Sequence, residues 1–141
     1  MSDVTLELTA GPSASELEAI GLGLRDFNTA DVGPSGRIAL AVLVRDASGN
    51  TLGGISGYTA WGWLYVQWLW LDDGLRGRGM AGRMLDMAEE EAANRGCHGA
   101  YIDTFNPVAL KVYQRQGYVT FGELAGFPKG RTRTFLQKPL A

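Results

Sequence analysis

From Arg76 to Arg83 the chain reads Arg-Gly-Arg-Gly-Met-Ala-Gly-Arg, a glycine run punctuated by cations. Gly77 to Gly82 fit the spacing G-x-G-x-x-G, in which glycines let the backbone approach a phosphate. A helix starting near Met80 leaves its first N–H groups without intrahelical partners, and the helix dipole adds positive charge there. Gly77, Gly79 and Gly82 offer no side chain to hold an anion off, and Arg76 and Arg78 supply charge. The competing reading is a glycine-rich turn that only joins strand to helix. Elsewhere, chemistry could rest on the phenol of Tyr113, on Asn106, or on the carboxylates Asp72, Asp73 and Asp103. Cys97 and His98 are the only residues of their types. They adjoin in sequence, whereas a catalytic cysteine and histidine usually meet only in space, so a surface turn pair before a strand is the simpler reading. No zinc-ligand spacing exists.

Two nucleotide-binding readings of the loop fail on context. For a dinucleotide fold, Asp103 lies about 20 residues beyond the loop, where a ribose-binding acid belongs. But Asp-Asp-Gly-Leu-Arg intervenes between strand and loop. The strand belongs to an antiparallel meander, and only one strand-helix-strand unit follows, too few for two mononucleotide-binding halves. A Walker loop is excluded because no Lys-Ser or Lys-Thr follows the required glycine spacing.

The bulk properties fit one ordinary domain spanning residues 1–141, with 45% hydrophobic and 20% charged residues. A net charge of −2 gives no global attraction to nucleic acid or acidic membranes, so an anion site has to be local. The apolar stretch Trp61–Leu71 is too short to span a bilayer and is interrupted by Gln67. The N-terminus lacks a basic region followed by an apolar run, so no signal peptide is expected, and a cytoplasmic location is the default.

The elements that position these residues follow from hydrophobic periodicity. Val4, Leu6 and Leu8 alternate and predict a first strand. Ser13 or Ser15 caps a helix carrying Leu17, Ile20 and Leu24. Residues 37–46 and 51–61, joined by Ala-Ser-Gly-Asn, predict a hairpin, and Gly62 turns the chain into a third strand ending at Leu71. After the loop, Ala81, Met84, Leu85, Ala88 and Ala92 form the apolar stripe of a helix stopped by Gly96, with a Glu91–Arg95 pair and an acidic run read as a solvated face. The strand 99–105 follows. Asn106 then caps a helix with Pro107 in its first position, Tyr113 on its apolar face and Gly117 at its end. Two strands around Pro-Lys-Gly close the chain. There are no repeats, low-complexity tracts or linkers.

Together these residues resemble the GNAT superfamily of N-acetyltransferases. The family's acyl-CoA loop reads arginine or glutamine, two residues, glycine, one residue, then glycine or alanine, and Arg76, Gly79 and Ala81 fill those positions. Asn106, Ala109, Tyr113, Gly117 and Tyr118 match, in order, the block that follows in the family. The resemblance runs from Trp63 to Tyr118. It implies an α/β fold with a mixed, mostly antiparallel central sheet, helices on both faces and a splayed central pair of strands. It implies acetyl-CoA as cosubstrate with no metal, its pyrophosphate on the backbone from Gly77 to Gly82 (Arg76, Arg78, Met80 and Ala81 included). Its pantetheine arm would lie in the splay, against main-chain groups of Leu69 and Leu71.

The implied reaction is direct transfer of the acetyl group to a primary amine. By the same resemblance Tyr113 is the acid facing the departing thiolate, and Asn106 combines capping with a pantetheine contact. A main-chain N–H near Leu69 would serve the oxyanion. Some relatives place a glutamate on the strand before the loop as base; here that strand has only Gln67, so no base is assigned, with Asp103 or a water chain as alternatives. Residues 21–33 and 126–133 would flank the acceptor. Trp61, Trp63, Trp68 and Trp70 pack under a helix in the simplest reading; a pocket wall or a homodimer interface are the others. A small-molecule amine is the leading acceptor, a protein or peptide amine the second, and a non-catalytic CoA-binding scaffold the reading from another class.

Overall fold

The computed structural model describes residues 3–140. The chain divides into two compact units, Met1–Ser35 and Gly36–Ala141. The first contains the helix α1, Ala14–Val32. A capping box starts it: the Ser13 hydroxyl accepts from the Glu16 N–H, and the Glu16 carboxylate accepts from the Ser13 N–H. The expected strand over Val4, Leu6 and Leu8 is absent, and this segment is irregular. Alternation makes a strand only where a neighbour completes its hydrogen bonds, and the sheet is built from other residues.

The second unit holds six strands: β1 (Ile38–Arg45), β2 (Thr51–Ala60), β3 (Trp63–Leu71), β4 (Gly99–Thr104), β5 (Val119–Ala125) and β6 (Thr132–Pro139). Their order is β1-β2-β3-β4-β6-β5, and only β3 and β4 run parallel. The crossover between those two is the helix α2, Met80–Asn94; a second helix, α3 (Pro107–Arg115), leads from β4 to β5. Both helices cover one face. Met84, Leu85, Ala88 and Ala92 of α2 and Tyr113 of α3 join Leu40, Ile55, Leu64, Val66, Ile102 and Leu136 of the sheet in one core. Among the described residues no helix is long and apolar enough to cross a membrane.

Two features of α2 depart from a solvated acidic helix. Glu89 is buried, and its carboxylate accepts from Lys138 Nζ at 2.6 Å and from the Tyr118 hydroxyl at 2.9 Å. Burial first, and then the Glu89 charge, raise the pKa of the Tyr118 phenol, so it stays a donor. Arg95 pairs with Glu91 as expected, at 2.8 Å, and also donates to the carbonyls of Ile38 and Ala39 and to Thr59 Oγ1, which pins the helix end to the sheet edge. Cys97 is buried in the core rather than in a surface turn, while His98 is exposed against Trp63. A cysteine behaves as a small apolar residue, so its burial follows the core and not the turn.

The split between β3 and β4 has a local origin. Their ladder runs from Trp63↔Gly99 to Val66↔Ile102 and stops, although β3 continues to Leu71. On the other edge of β3 the register slips: Ser56 faces Trp68 while Gly57 faces Val66, so Gln67 is a bulged residue. A Cβ at Gly57 would overlap the carbonyl oxygen of Tyr65. The Gly57→Ala variant is therefore expected to lose about 3 kcal/mol of stability, since backbone cannot move aside cheaply; urea unfolding checks this, and an unchanged midpoint would show that the bulge tolerates a side chain.

Candidate active site

The loop between β3 and α2 presents the donors that its sequence calls for. Gly77 and Gly79 adopt positive φ values of 75° and 71°, and Gly79 is the N-cap of α2. The first helical bond runs from the Arg83 N–H to the Gly79 carbonyl, so the N–H groups of Met80, Ala81 and Gly82 have no partner within the helix. Nothing stands within 4 Å of where a Cβ would project at Gly77 or Gly79, so both open onto free space. Arg76 is tied down rather than mobile: its Nε donates to the Leu71 carbonyl at 3.1 Å and its Nη1 meets Asp73 at 3.0 Å. Asp73 thus shapes the loop. Arg78 is exposed and, among the described residues, makes no ion pair.

This loop forms one end of a cavity of about 470 Å³ walled by Gly79, Ala81 and Gly82 on one side and Val108 and Val112 of α3 on the other. A second cavity of about 650 Å³ shares Leu71, Arg76 and Val108 with it and follows the split. Its walls include Leu69 and Trp70 on β3, Asp103 on β4, and Asn106, Ala109 and Tyr113 on α3. The sequence-predicted residues therefore meet along a single groove, the glycine loop at one end and Tyr113 at the other. Past Val66, β3 has no neighbour on its β4 edge, which leaves main-chain groups for an extended ligand to pair with.

Asn106 caps α3 as expected, its Oδ1 accepting from the Val108 and Ala109 N–H groups at 2.8 and 3.1 Å. Tyr113 is 5% exposed, yet its hydroxyl has no hydrogen-bond partner among the described residues and it lines the groove. Burial, and secondarily the charge of Asp103, push its pKa up to about 12, so it holds its proton at neutral pH. Trp68 and Trp70 do not pack under a helix: they are 67% and 54% exposed and lie along the groove. α2 and α3 cover the opposite face, toward which Leu69 and Leu71 point.

One cluster escaped the reading of the sequence. Asp103 Oδ1 accepts from Arg133 Nε and Nη2 at 2.9 and 2.8 Å, and its Oδ2 accepts from the Tyr65 hydroxyl at 3.1 Å. The three residues come from β4, β6 and β3, so only the strand order unites them. The available signal was that Tyr65, Asp103 and Arg133 all alternate with core residues. Among the described residues no group of histidine, cysteine or carboxylate side chains could hold a metal ion.

A parallel strand pair that parts beyond Val66, with the unpaired N–H groups of a helix start at the end of the gap, is the geometry of a protein able to take an extended anionic ligand beside a strand. The comparisons give that class its family. Residues 17–118 match the model of the acetyltransferase (GNAT) family, and the chain belongs to it. It is 46% identical over 112 residues to an acetyltransferase of Agrobacterium fabrum, covering 79% of this chain and 82% of that one. It is 38% identical over 93 residues to a blasticidin-S acetyltransferase of Streptomyces morookaense, covering 65% and 68%. A crystal structure from Agrobacterium tumefaciens, 41% identical, superposes with a TM-score of 0.93 over 96% of this chain and 99% of that one. The protein is thus an acyltransferase.

Proposed function

We propose that this protein transfers the acetyl group of acetyl-CoA to a primary amine of a small molecule. The observation that carries the reading is the single groove joining the unpaired N–H groups of Met80–Gly82 to the unpartnered Tyr113 hydroxyl. The name of the Streptomyces relative, a blasticidin-S acetyltransferase, supports a small acceptor.

In this reading the loop N–H groups hold the pyrophosphate, Arg78 adds charge, and Arg76 keeps the loop in shape. Leu69 and Leu71 offer main-chain groups to the pantetheine arm, with Asn106 beside it. Acetyl-CoA supplies a thioester, so that a C–N bond forms as the C–S bond breaks and CoA leaves with a proton taken up from the nitrogen. The amine has to attack in its neutral form, and the open groove lets water carry its proton away. Tyr113 donates a hydrogen bond to the sulfur. A free thiol titrates near ~8.5, well below this phenol, so Tyr113 stabilises the thiolate without surrendering its proton.

Acetyl-CoA at a hundredfold excess over its Kd is expected to stabilise the protein by about 2.7 kcal/mol in thermal unfolding. A panel of small amines should then release free thiol from acetyl-CoA. Stabilisation with silence across the panel would instead favour a CoA-binding scaffold, and stabilisation by NAD alone would overturn the acyltransferase site.

A further inference from the structure

The groove has a second side, and it is built from different chemistry. Resting on the acetyl-transfer reading above, we propose that Asp103 binds the incoming amine, and that the acceptor is a cationic amine carried next to a flat, unsaturated ring. Asp103 is the first residue of β4 beyond the last rung shared with β3, so it stands at the point where the strands part. It alternates with Ile102, which is in the core beneath α2 and α3, and therefore faces the other surface of the sheet. Tyr113 approaches the same groove from the helix side. Donor and acceptor thus have separate entrances to one gap.

Asp103 is the one carboxylate among the described residues of this groove. Its side chain is 15% exposed and held from two strands by Arg133 and Tyr65. Those bonds occupy three of the ~4 acceptor positions of a carboxylate, which leaves one for an N–H of the amine. Arg133 is fixed in turn, its guanidinium 4.9 Å from the Phe127 ring and 5.1 Å from Phe135. A carboxylate so restrained holds the ammonium in place and, once water in the open groove has taken one of its protons, keeps an N–H of the neutral amine so that the freed lone pair faces the thioester carbonyl.

The surface beside Asp103 selects the rest of the molecule. Tyr65 and Tyr101 stack at 4.6 Å with planes 11° apart, and Tyr58 meets Tyr65 edge-on at 5.7 Å. Tyr101 also walls a depression of about 360 Å³ with Trp63, Phe121 and Gln137. At the Tyr58 end of this aromatic run a planar cation is already seated: the guanidinium of Arg37 lies 3.8 Å from the centre of the Tyr58 ring. Tyr65 joins this aromatic surface to the carboxylate, because its ring stacks on Tyr101 while its hydroxyl donates to Asp103, so a flat ring seated here has its amine on the Asp103 side.

The test uses 2-phenylethylamine and 2-cyclohexylethylamine, which differ in the flat face of the ring, with acetyl-CoA and the full chain. The wild-type protein should acetylate the phenyl amine with at least a 5-fold higher kcat/KM. Asp103→Asn should raise the KM for that amine at least 10-fold while the thermal shift given by acetyl-CoA is unchanged, and Asp103→Glu should recover part of the loss. If Asp103→Asn does not fold, Tyr65→Phe, which frees one side of the carboxylate, should raise the same KM about 3-fold. An unchanged amine KM in the folded variants would reduce Asp103 to a structural ion pair and overturn the proposal. So would equal use of the two amines, or acetylation of neither by a protein that acetyl-CoA stabilises. Failure of acetyl-CoA to stabilise the wild-type protein would instead sink the acetyl-transfer reading itself.

Discussion

The Tyr113→Phe variant is expected to lower kcat about 100-fold while leaving the binding of acetyl-CoA within a factor of three, on the scale of a lost transition-state donor. The substitution removes one oxygen and keeps the ring, which packs in the core. The hydroxyl has no internal partner to lose, so folding stability should stay within about 1 kcal/mol of the parent. This separation makes the variant informative. A tyrosine that served packing alone would show neither effect. One that bound the ground state of the cosubstrate would weaken acetyl-CoA and leave kcat in place. Stopped thiol-release assays at saturating acetyl-CoA, paired with thermal shifts, read the two quantities independently, and an unaltered kcat would remove Tyr113 from the reaction.

A second substitution should act on stability instead. Glu89→Ala is expected to cost about 3 kcal/mol, because it leaves Lys138 and the Tyr118 hydroxyl facing a buried space without their acceptor. For a chain of this size that is a fall of roughly 10 °C in Tm. The carboxylate links α2 to β6 and to the residue preceding β5, so the loss falls on the joint between helix and sheet. Glu90, one position along and exposed, should give a change below about 0.5 kcal/mol when replaced by alanine, and this neighbour is the control. Equal Tm values for the two variants would mean that the pair carries no net stability.

Glu89 also shows where a sequence stops being legible. Of three successive glutamates only Glu91 has a partner visible in the sequence, Arg95; Glu89 is set apart from Glu90 by contacts with Tyr118 and Lys138, far along the chain. Local rules served well wherever the partner was local. The Ser13 and Asn106 caps, the start of α2 at Met80 and the meander of β1, β2 and β3 all rest on a few neighbouring residues. The glycine loop was legible for the same reason, since its donors belong to consecutive peptide groups. The Tyr65–Asp103–Arg133 cluster was not, because it needs the order of three strands. The segment around Leu6 failed in the opposite direction: its pattern satisfied a local rule, but a strand is a property of two chains and not of one.

Gln67 carries a consequence of its own. Along β3 the core-facing residues are Leu64 and Val66, then Leu69 and Leu71. Omit Gln67 and the four fall into unbroken every-other-residue phase. The glutamine is thus a phase slip, a single supernumerary residue written into an otherwise regular strand, and the bulge is how the backbone absorbs it. The seam with β4 ends one residue before this slip, and the glycine across from it leaves the room the extra residue needs, so a change of phase on one edge of a strand coincides with an opening on the other.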